Sequence, residues 1–305
     1  MDTGVPREPA STGLPVYTSE SQQGQEDEHD AQVEQPLMPS TCRSWWYRCY
    51  DGLLRFALQS LSLGPLPRHM AFIMDGNRRW SRMTGVRVHQ GHYMGFEALK
   101  RVLDLCLSLH RIDVVTVYAF ALDNFRREQA EVDALMELAR TRLLELSSNR
   151  CVLSTNTSEL VRKFSVRIRV VGRRALLPPA VQETAQSVEE ATKDHTGCVT
   201  GMLTDRPTLN ICMPYASQDE ICAAATQAVQ KGPLTEASLA EHLMVPCDIP
   251  IDVLVRTSHV SRLSDFLLWQ CNEHTQMHFV DQYWPRFGVR DLIPILLAYQ
   301  RAHVH

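Results

Sequence analysis

"HMAFIMDGNRRWSRMTGVRVHQGHYMGFEALKRVLDLC", residues 69–106, opens as an apolar strand and closes as an amphipathic helix. Between the two lie one carboxylate, Asp75, two consecutive arginines, Arg78 and Arg79, and a histidine, His92. A connection with no other duty would need only a short neutral turn. The run "MAFIM" is apolar at every position. Both faces of such a strand are buried, as in the interior of a parallel sheet covered on two sides.

Outward from this segment the pattern repeats. The runs "VVTVYAF", "VRIRVV", "TLNICM", "IDVLV" and "MHFV" supply five further strands. Helical periodicity over Met94–Ser108, Gln129–Leu146, Ala180–Lys193 and Asp219–Lys231 fills most of the gaps between them. The expected fold class is α/β: a six-stranded, mostly parallel sheet flanked by helices. Two polar stretches, "SSNRCVLSTNTSEL" and "DHTGCVTGMLTDRP", read as surface insertions.

The 305 residues are 44% hydrophobic, enough for a packed core. The net charge of −4 is uneven, because residues 1–40 carry −7 and leave +3 for the rest. A mildly basic body suits a small phosphorylated substrate and is too weak for nucleic acid. Residues 1–41, rich in Ser, Thr, Gln, Glu and Pro, are expected to form a disordered acidic tail. Residues 42–64 are expected to form an amphipathic helix. Its apolar stripe is Trp46, Tyr50, Leu53, Leu54, Ala57, Leu58 and Leu61, accompanied by Trp45, Arg43, Arg48 and Arg55. Such a helix either docks on the domain or lies on a membrane surface. Residues 65–305, which hold the alternating strands and helices, are the expected folded domain. The acidic, polar start shows no signal peptide, and no run of 18 apolar residues predicts a spanning helix. Nine scattered cysteines without a C-x-x-C argue against a disulfide framework or a zinc site, and most of them read as small core residues. Asn156-Thr157-Ser158 matches a glycosylation triplet, a pattern common by chance.

Ligands of open α/β sheets bind outside the carboxyl ends of the strands. Three strands are followed at once by charge. After the first comes Asp75-Gly76-Asn77-Arg78-Arg79-Trp80, and after the second Asp123-Asn124-Phe125-Arg126-Arg127. After the fifth comes Arg256, then Arg262, Ser264 and Asp265. Arginines bind phosphate oxygens bidentately, and several at one sheet edge suggest more than one phosphate. A lone carboxylate among them suits Mg²⁺, which takes one or two carboxylates plus substrate phosphates. The turn after the first strand therefore reads as a metal–diphosphate holder. No G-x-x-x-x-G-K-[ST] or G-x-G-x-x-G is present, and His274 and His278 lack the Glu of a zinc protease helix.

The motifs "HMAFIMDGNRRW", Gly91-His92, "VTVYAFALDNFRR" with "EVDALMELA", and "VRTSHVSRLSDFLLWQ" with "YWP" closely resemble the cis-prenyltransferases, from about Pro65 to Arg301. The pattern is nearest to the eukaryotic, fungal-type dehydrodolichyl diphosphate synthase branch. The resemblance implies an undecaprenyl diphosphate synthase-like fold with a hydrophobic tunnel. It implies repeated condensation of isopentenyl diphosphate onto farnesyl diphosphate, each new double bond cis, giving a long-chain polyprenyl diphosphate for dolichol synthesis and protein glycosylation. By the same resemblance Asp75 holds Mg²⁺ at the allylic diphosphate, which Gly76, Asn77, Arg78, Arg79 and His92 surround. Trp80 and Phe125 match aromatic positions at the mouth. Asn124 matches a catalytic Asn, Arg127 a phosphate contact and Glu131 a carboxylate behind the site. Arg256, Arg262 and Ser264 match the isopentenyl diphosphate pocket.

The sequence also departs from the family pattern. Val88 stands at a usual phosphate-binding Arg, with Arg87 adjacent, and Ala121 replaces a common Ser. Ser258-His259-Val260 replaces a Gly-containing turn, and Thr275 is expected at a second acidic metal ligand. The end "AYQRAHVH" lacks a C-terminal Arg-x-Gly. These features imply a heteromer with a receptor-like cis-prenyltransferase subunit that supplies Arg-x-Gly. The expected contact region carries Tyr283, Trp284, Leu292, Leu296 and Tyr299. The expected location is the cytosolic face of the endoplasmic reticulum membrane or lipid droplets, by peripheral contact. The absence of adjacent Asp pairs sets aside an all-helical trans-prenyl synthase. A non-catalytic diphosphate-binding subunit is the alternative.

Overall fold

β1 (His69–Ile73) is buried at all five positions. This is the first strand of a computed structural model that describes residues 52–303, apart from 54, 55, 58, 59, 148–160, 162, 163 and 194–206. β2 (Val114–Tyr118), β3 (Arg167–Val171), β4 (Thr208–Cys212), β5 (Val253–Arg256) and β6 (Gln276–Phe279) join it in one sheet. The order is β3-β4-β2-β1-β5-β6 and every pairing is parallel. The six expected strands are thus the six observed. β6, at an edge, alternates half-buried and exposed, as a strand with one free side does.

Seven helices surround the sheet among the described residues: α1 (Asn77–Thr84), α2 (Val88–Ser108), α3 (Gln129–Ser147), α4 (Pro179–Lys193), α5 (Ser217–Lys231), α6 (Glu236–Ala240) and α7 (Val289–His303). α2 to α5 match the four expected helices, α2 starting six residues earlier. The other three escape pattern reading for separate reasons. α1 buries only Ser81 and starts from Gly76 with no side-chain cap, so neither apolar stripe nor start signal marks it. α6 is a five-residue helix held by a Thr235–Ser238 capping box. α7 carries Pro294, which reads as a helix breaker.

One apolar core fills the sheet face beneath α2, α3, α4 and α7, and a second, around Ala71, Tyr215, Leu254 and Phe266, fills the other. Trp284, 1% exposed, anchors the first core. Its Nε1 donates to Gly95 O at 2.7 Å, and its ring stacks on Phe287. This placement corrects the expected partner surface. Trp284, Leu292, Leu296 and Tyr299 are buried in the chain's own core, because the α7 stripe packs on the sheet, and only Tyr283 keeps partial exposure. Exposed apolar side chains occur instead at the β6 edge, where Met277 is 40% and Phe279 42% exposed.

Residues 1–51 lie outside the described residues, and with them the expected tail, Arg43, Trp45, Trp46, Arg48 and Tyr50. So do Leu54, Arg55 and Leu58, the glycosylation triplet and nearly all of the two polar insertions. Leu53, Phe56, Ala57 and Leu61 are helical, and Leu53 and Phe56 are 63% and 67% exposed. No helix among the described residues is long and apolar enough to cross a membrane. Of the five described cysteines, Cys106 and Cys212 are buried free thiols, as core residues should be, whereas Cys247 and Cys271 are half-buried and Cys222 is exposed.

Candidate active site

From β1 the crossover runs to β2 on one side, while β5, reached from the far half of the sheet, pairs on the other. Their carboxyl ends form the topological switch point, where α/β sheets bind ligands. The chain leaves Ile73 through Met74, Asp75 and Gly76 into α1. Gly76 has φ +103°, and a Cβ there would lie 2.6 Å from Tyr283 Cδ1, so only glycine fits. Thr257 Oγ1 accepts from Asp75 N (3.0 Å) and donates to Asp75 O (2.7 Å), while Trp284 N donates to the same carbonyl (3.1 Å).

The Asp75 carboxylate is held at both oxygens. Arg256 Nη2 donates to Oδ2 at 2.8 Å, and Arg79 Nη2 lies 3.2 Å from Oδ1. Burial pushes the carboxyl upward, but the hydrogen bond and charge of Arg256, then the charge of Arg79, outweigh it and hold it below the usual carboxylate range. Asp75 is therefore ionised. Arg256 is only 3% exposed and donates through Nη1 to Ser264 Oγ at 2.7 Å and to Arg262 O. Arg79 is anchored on Ser258, donating to its O (3.1 Å) and to its Oγ, and lies over the Tyr283 ring.

Ser258 and His259 both adopt left-handed backbone, φ +75° and +61°, where the resemblance leads one to expect glycine. Ser258 N and His259 N donate to Gln282 O (2.9 Å) and Val280 O (3.2 Å), which hold the conformation. A non-glycine residue there costs on the order of 1–3 kcal/mol. The altered turn thus keeps a glycine-like path.

A second network joins α1, α2 and α3. Arg127 donates through Nη2 to Asn124 Oδ1 and through Nη1 to Glu131 Oε1, both at 2.8 Å. Glu131 also faces Arg78 at 3.7 Å and His92 at 4.0 Å. Burial first, then Arg127, lowers His92 to about 4, so its ring is neutral at pH 7.

Asp75, Gly76, Asn77, Arg78, Arg79, His92, Arg127 and Arg262 line one cleft of about 370 Å³. Beside it an apolar tunnel runs between α2 and α3, walled by Leu99, Leu103, Leu135, Ala139, Leu143 and Leu146. Met74, Asn77 and His92 belong to both cavities. Two buried polar atoms without a hydrogen-bond partner among the described residues, Asn77 Oδ1 and His92 Nε2, sit on residues at this junction. A cationic cleft opening into an apolar tunnel suits an amphiphile with an anionic head.

Most of the expected site residues are thus brought together. Glu131, Asn124, Arg256 and Ser264 hold the cleft residues from behind. Trp80 and Phe125 line neither cavity; Trp80 lies on α1 with its indole N–H unpartnered, and Phe125 packs edge-on against Phe120. Arg82 lines the cleft, although sequence reasoning passed over it. Its spacing of four from Arg78 would reveal it once α1 is known to be a helix. Thr257, Ser258 and Tyr283 were missed as supports. Val88 and Arg87 stand at the start of α2, off the cleft lining. Thr275 precedes β6 and donates to Ile251 O at 2.7 Å, so it lies at the amino edge of the sheet, opposite the cleft. It is no candidate metal position. The carboxylate beyond the carboxyl end of β6 is Asp281, 2.7 Å from His259 Nδ1.

No group of three or more His, Cys, Asp or Glu among the described residues could cage a metal. The one carboxylate lining the cleft is ionised and surrounded by arginines. This donor set fits Mg²⁺ only when substrate phosphates complete its shell.

A family model described as "Putative undecaprenyl diphosphate synthase" matches residues 73–305. A dehydrodolichyl diphosphate synthase complex subunit of Schizosaccharomyces pombe is 38% identical over 271 residues, covering 84% of this chain and 96% of the relative. A human subunit of the same description is 37% identical over 257 residues, 82% of this chain and 72% of the relative. Lavandulyl diphosphate synthase from Lavandula x intermedia, solved with dimethylallyl diphosphate, superposes with a TM-score of 0.65 at 27% identity, covering 77% of this chain and 95% of that one. With this sheet order, this cleft and these relatives, the chain belongs to the cis-prenyltransferase family.

Proposed function

We propose that this chain is the catalytic subunit of a Mg²⁺-dependent synthase that extends farnesyl diphosphate with isopentenyl diphosphate to a long-chain, dehydrodolichyl-type diphosphate for dolichol synthesis. Cis-prenyl chain elongation is the activity of its family. The observation that carries the finer reading is the junction of the arginine cleft with the apolar tunnel at Asn77 and His92.

In this reading the allylic diphosphate sits over Gly76 and the start of α1, with Arg78, Arg79 and Arg127 on its oxygens. As the allylic C–O bond breaks, negative charge grows on the departing diphosphate, and fixed guanidiniums stabilise it without reorganising. Mg²⁺, held by Asp75, would add neutralisation of the same oxygens. Arg262, set by the Arg256–Ser264 pair behind it, holds the isopentenyl diphosphate, so that its double bond lies close to the allylic carbon, and proximity supplies much of the rate. Neutral His92 adds a polar contact at the junction without repelling the cations beside it. The growing chain enters the tunnel between α2 and α3.

The heteromer reading rests on relatives described as complex subunits. We place the partner contact at the β6 edge, where Met277 and Phe279 are exposed, rather than on the buried α7 stripe. Leu53 and Phe56, exposed on one helical face, support peripheral attachment to a membrane such as the endoplasmic reticulum. The test is to express the chain alone and with a receptor-like subunit, and to compare isopentenyl incorporation. Activity on co-expression, lost when the partner's terminal glycine is changed, is the expected result. Diphosphate binding without incorporation under both conditions would favour the non-catalytic alternative.

A further inference from the structure

At the opposite edge of the sheet, where the strands begin, lies a separate cavity of about 640 Å³. Its floor is polar. The register sets Arg169 of β3 beside Asn210 of β4, and Asn210 beside Thr116 of β2. His69 of β1 completes the row, its Nε2 lying 2.8 Å from Thr116 Oγ1.

The direction of the hydrogen bonds along this row follows from its far end. His69 Nδ1 lies 2.9 Å from Ile249 O, which can only accept, so Nδ1 carries the proton. Burial lowers the His69 pKa, so the ring is neutral and Nε2 accepts the Thr116 hydroxyl hydrogen. Thr116 Oγ1 must then accept from Asn210 Nδ2, 3.0 Å away. Every other assignment leaves two donors or two acceptors facing each other. The chain therefore ends on Asn210 Oδ1, an acceptor on a side chain only 2% exposed and without a partner. A buried acceptor left unmet is costly, so this oxygen calls for a donor.

The cavity also calls for an anion. Arg169 is half-buried and Arg167 stands two residues before it on the same face of β3. Neither guanidinium has a hydrogen-bond or ion-pair partner among the described residues. Arg68 and Lys193 add positive charge to the lining, against Asp113 and Asp248, and Asp113 is taken by Arg68 at 2.6 Å.

We propose that this cavity binds a phosphate monoester, with phosphoryl oxygens on Arg167 and Arg169 and a protonated oxygen, or an adjoining hydroxyl, donating to Asn210 Oδ1. A phosphate monoester meets both demands, because its second pKa near about 6 leaves part of it protonated at neutral pH. Sulfate carries no proton and meets only one.

The test is calorimetric titration of the full chain, in its complex if it requires one, with inorganic phosphate and then sulfate. The diphosphate cleft has arginines of its own, so the second cavity's share of the heat is read as the part lost in Arg167→Gln. The expected result is measurable phosphate binding, about ten-fold weaker sulfate binding, and about a ten-fold loss of phosphate affinity in Arg167→Gln, the loss of one charge-assisted contact. Arg167 is exposed, so this variant folds, and it leaves prenyl transfer unchanged. Asn210→Leu should bring phosphate affinity down to that of sulfate. Phosphate binding that is absent, equal to sulfate binding, or indifferent to Arg167→Gln would overturn the proposal.

Discussion

Asp75→Asn separates the two duties that the structure gives one carboxylate. The substitution keeps side-chain shape and removes the charge that faces Arg256 at 2.8 Å and Arg79 at 3.2 Å. If Asp75 holds the metal against the leaving diphosphate, turnover should fall by on the order of 10²-fold or more, the scale of losing one preorganised electrostatic group. Stability should fall too, because Arg256, 4% exposed at its side chain, loses its one carboxylate partner among the described residues. At an effective dielectric of about 20 an ion pair at 4 Å is attracted by about 4 kcal/mol, most of it offset by desolvation. With the Asp75 side chain 30% exposed, a net loss of about 1–2 kcal/mol is expected. The folded pKa of Asp75 is depressed, so its contribution is present above the ordinary carboxylate pKa and is lost as pH falls through the folded value. Asp75→Asn should show less acid destabilisation in that window. The assay is labelled isopentenyl incorporation at saturating Mg²⁺, paired with urea denaturation at pH 7 and in that acid window. Near-normal turnover in a folded Asp75→Asn protein would refute the metal assignment. Unchanged stability would refute the reading of Arg256.

Three further outcomes follow from the same geometry. His92 is lowered to about 4, so the folded state resists a proton that the unfolded state takes up below 6.5; stability falls as pH drops through that range, and His92→Asn should flatten the loss by up to about 3 kcal/mol, read from denaturation at pH 7 and pH 4.5. Ala139→Trp should fill the tunnel and shorten the product with little effect on the first condensation, as chromatography of the dephosphorylated products would show; unaltered chain length would mean that the chain takes another route. Leu53→Ser with Phe56→Ser should weaken liposome co-sedimentation without changing turnover in detergent, whereas unchanged binding would assign membrane contact to another segment or to the partner.

The sheet was legible in the sequence because interior parallel strands are apolar on both faces, and each of the six runs stood out against polar surroundings. The position of the cleft was legible as well, since charge follows β1, β2 and β5 directly and the switch-point rule gathers those ends. α1 was hidden. Its eight residues carry three arginines and bury only Ser81, and its helical form is what turns Arg82 toward the site. Thr257 and Ser258 were hidden for another reason: a hydroxyl that pins a turn leaves no periodic trace. The expected contact region misled in an instructive way. Leu292, Leu296 and Tyr299 recur at helical spacing, which shows that one face is buried but not whether a partner or the chain's own sheet buries it. Thr275 failed because a position aligned by motif took no account of which end of β6 it occupies.

The most direct test of the account is the structure of the product. The purified chain with its partner subunit, Mg²⁺, farnesyl diphosphate and carbon-labelled isopentenyl diphosphate should yield a long polyprenyl diphosphate in which every newly added double bond is cis by NMR. Arg79→Gln and Arg127→Gln should each suppress it. Trans double bonds in the added units, or full product formation by those two variants, would contradict the assignment of the β1–β5 cleft as the site of cis-prenyl transfer.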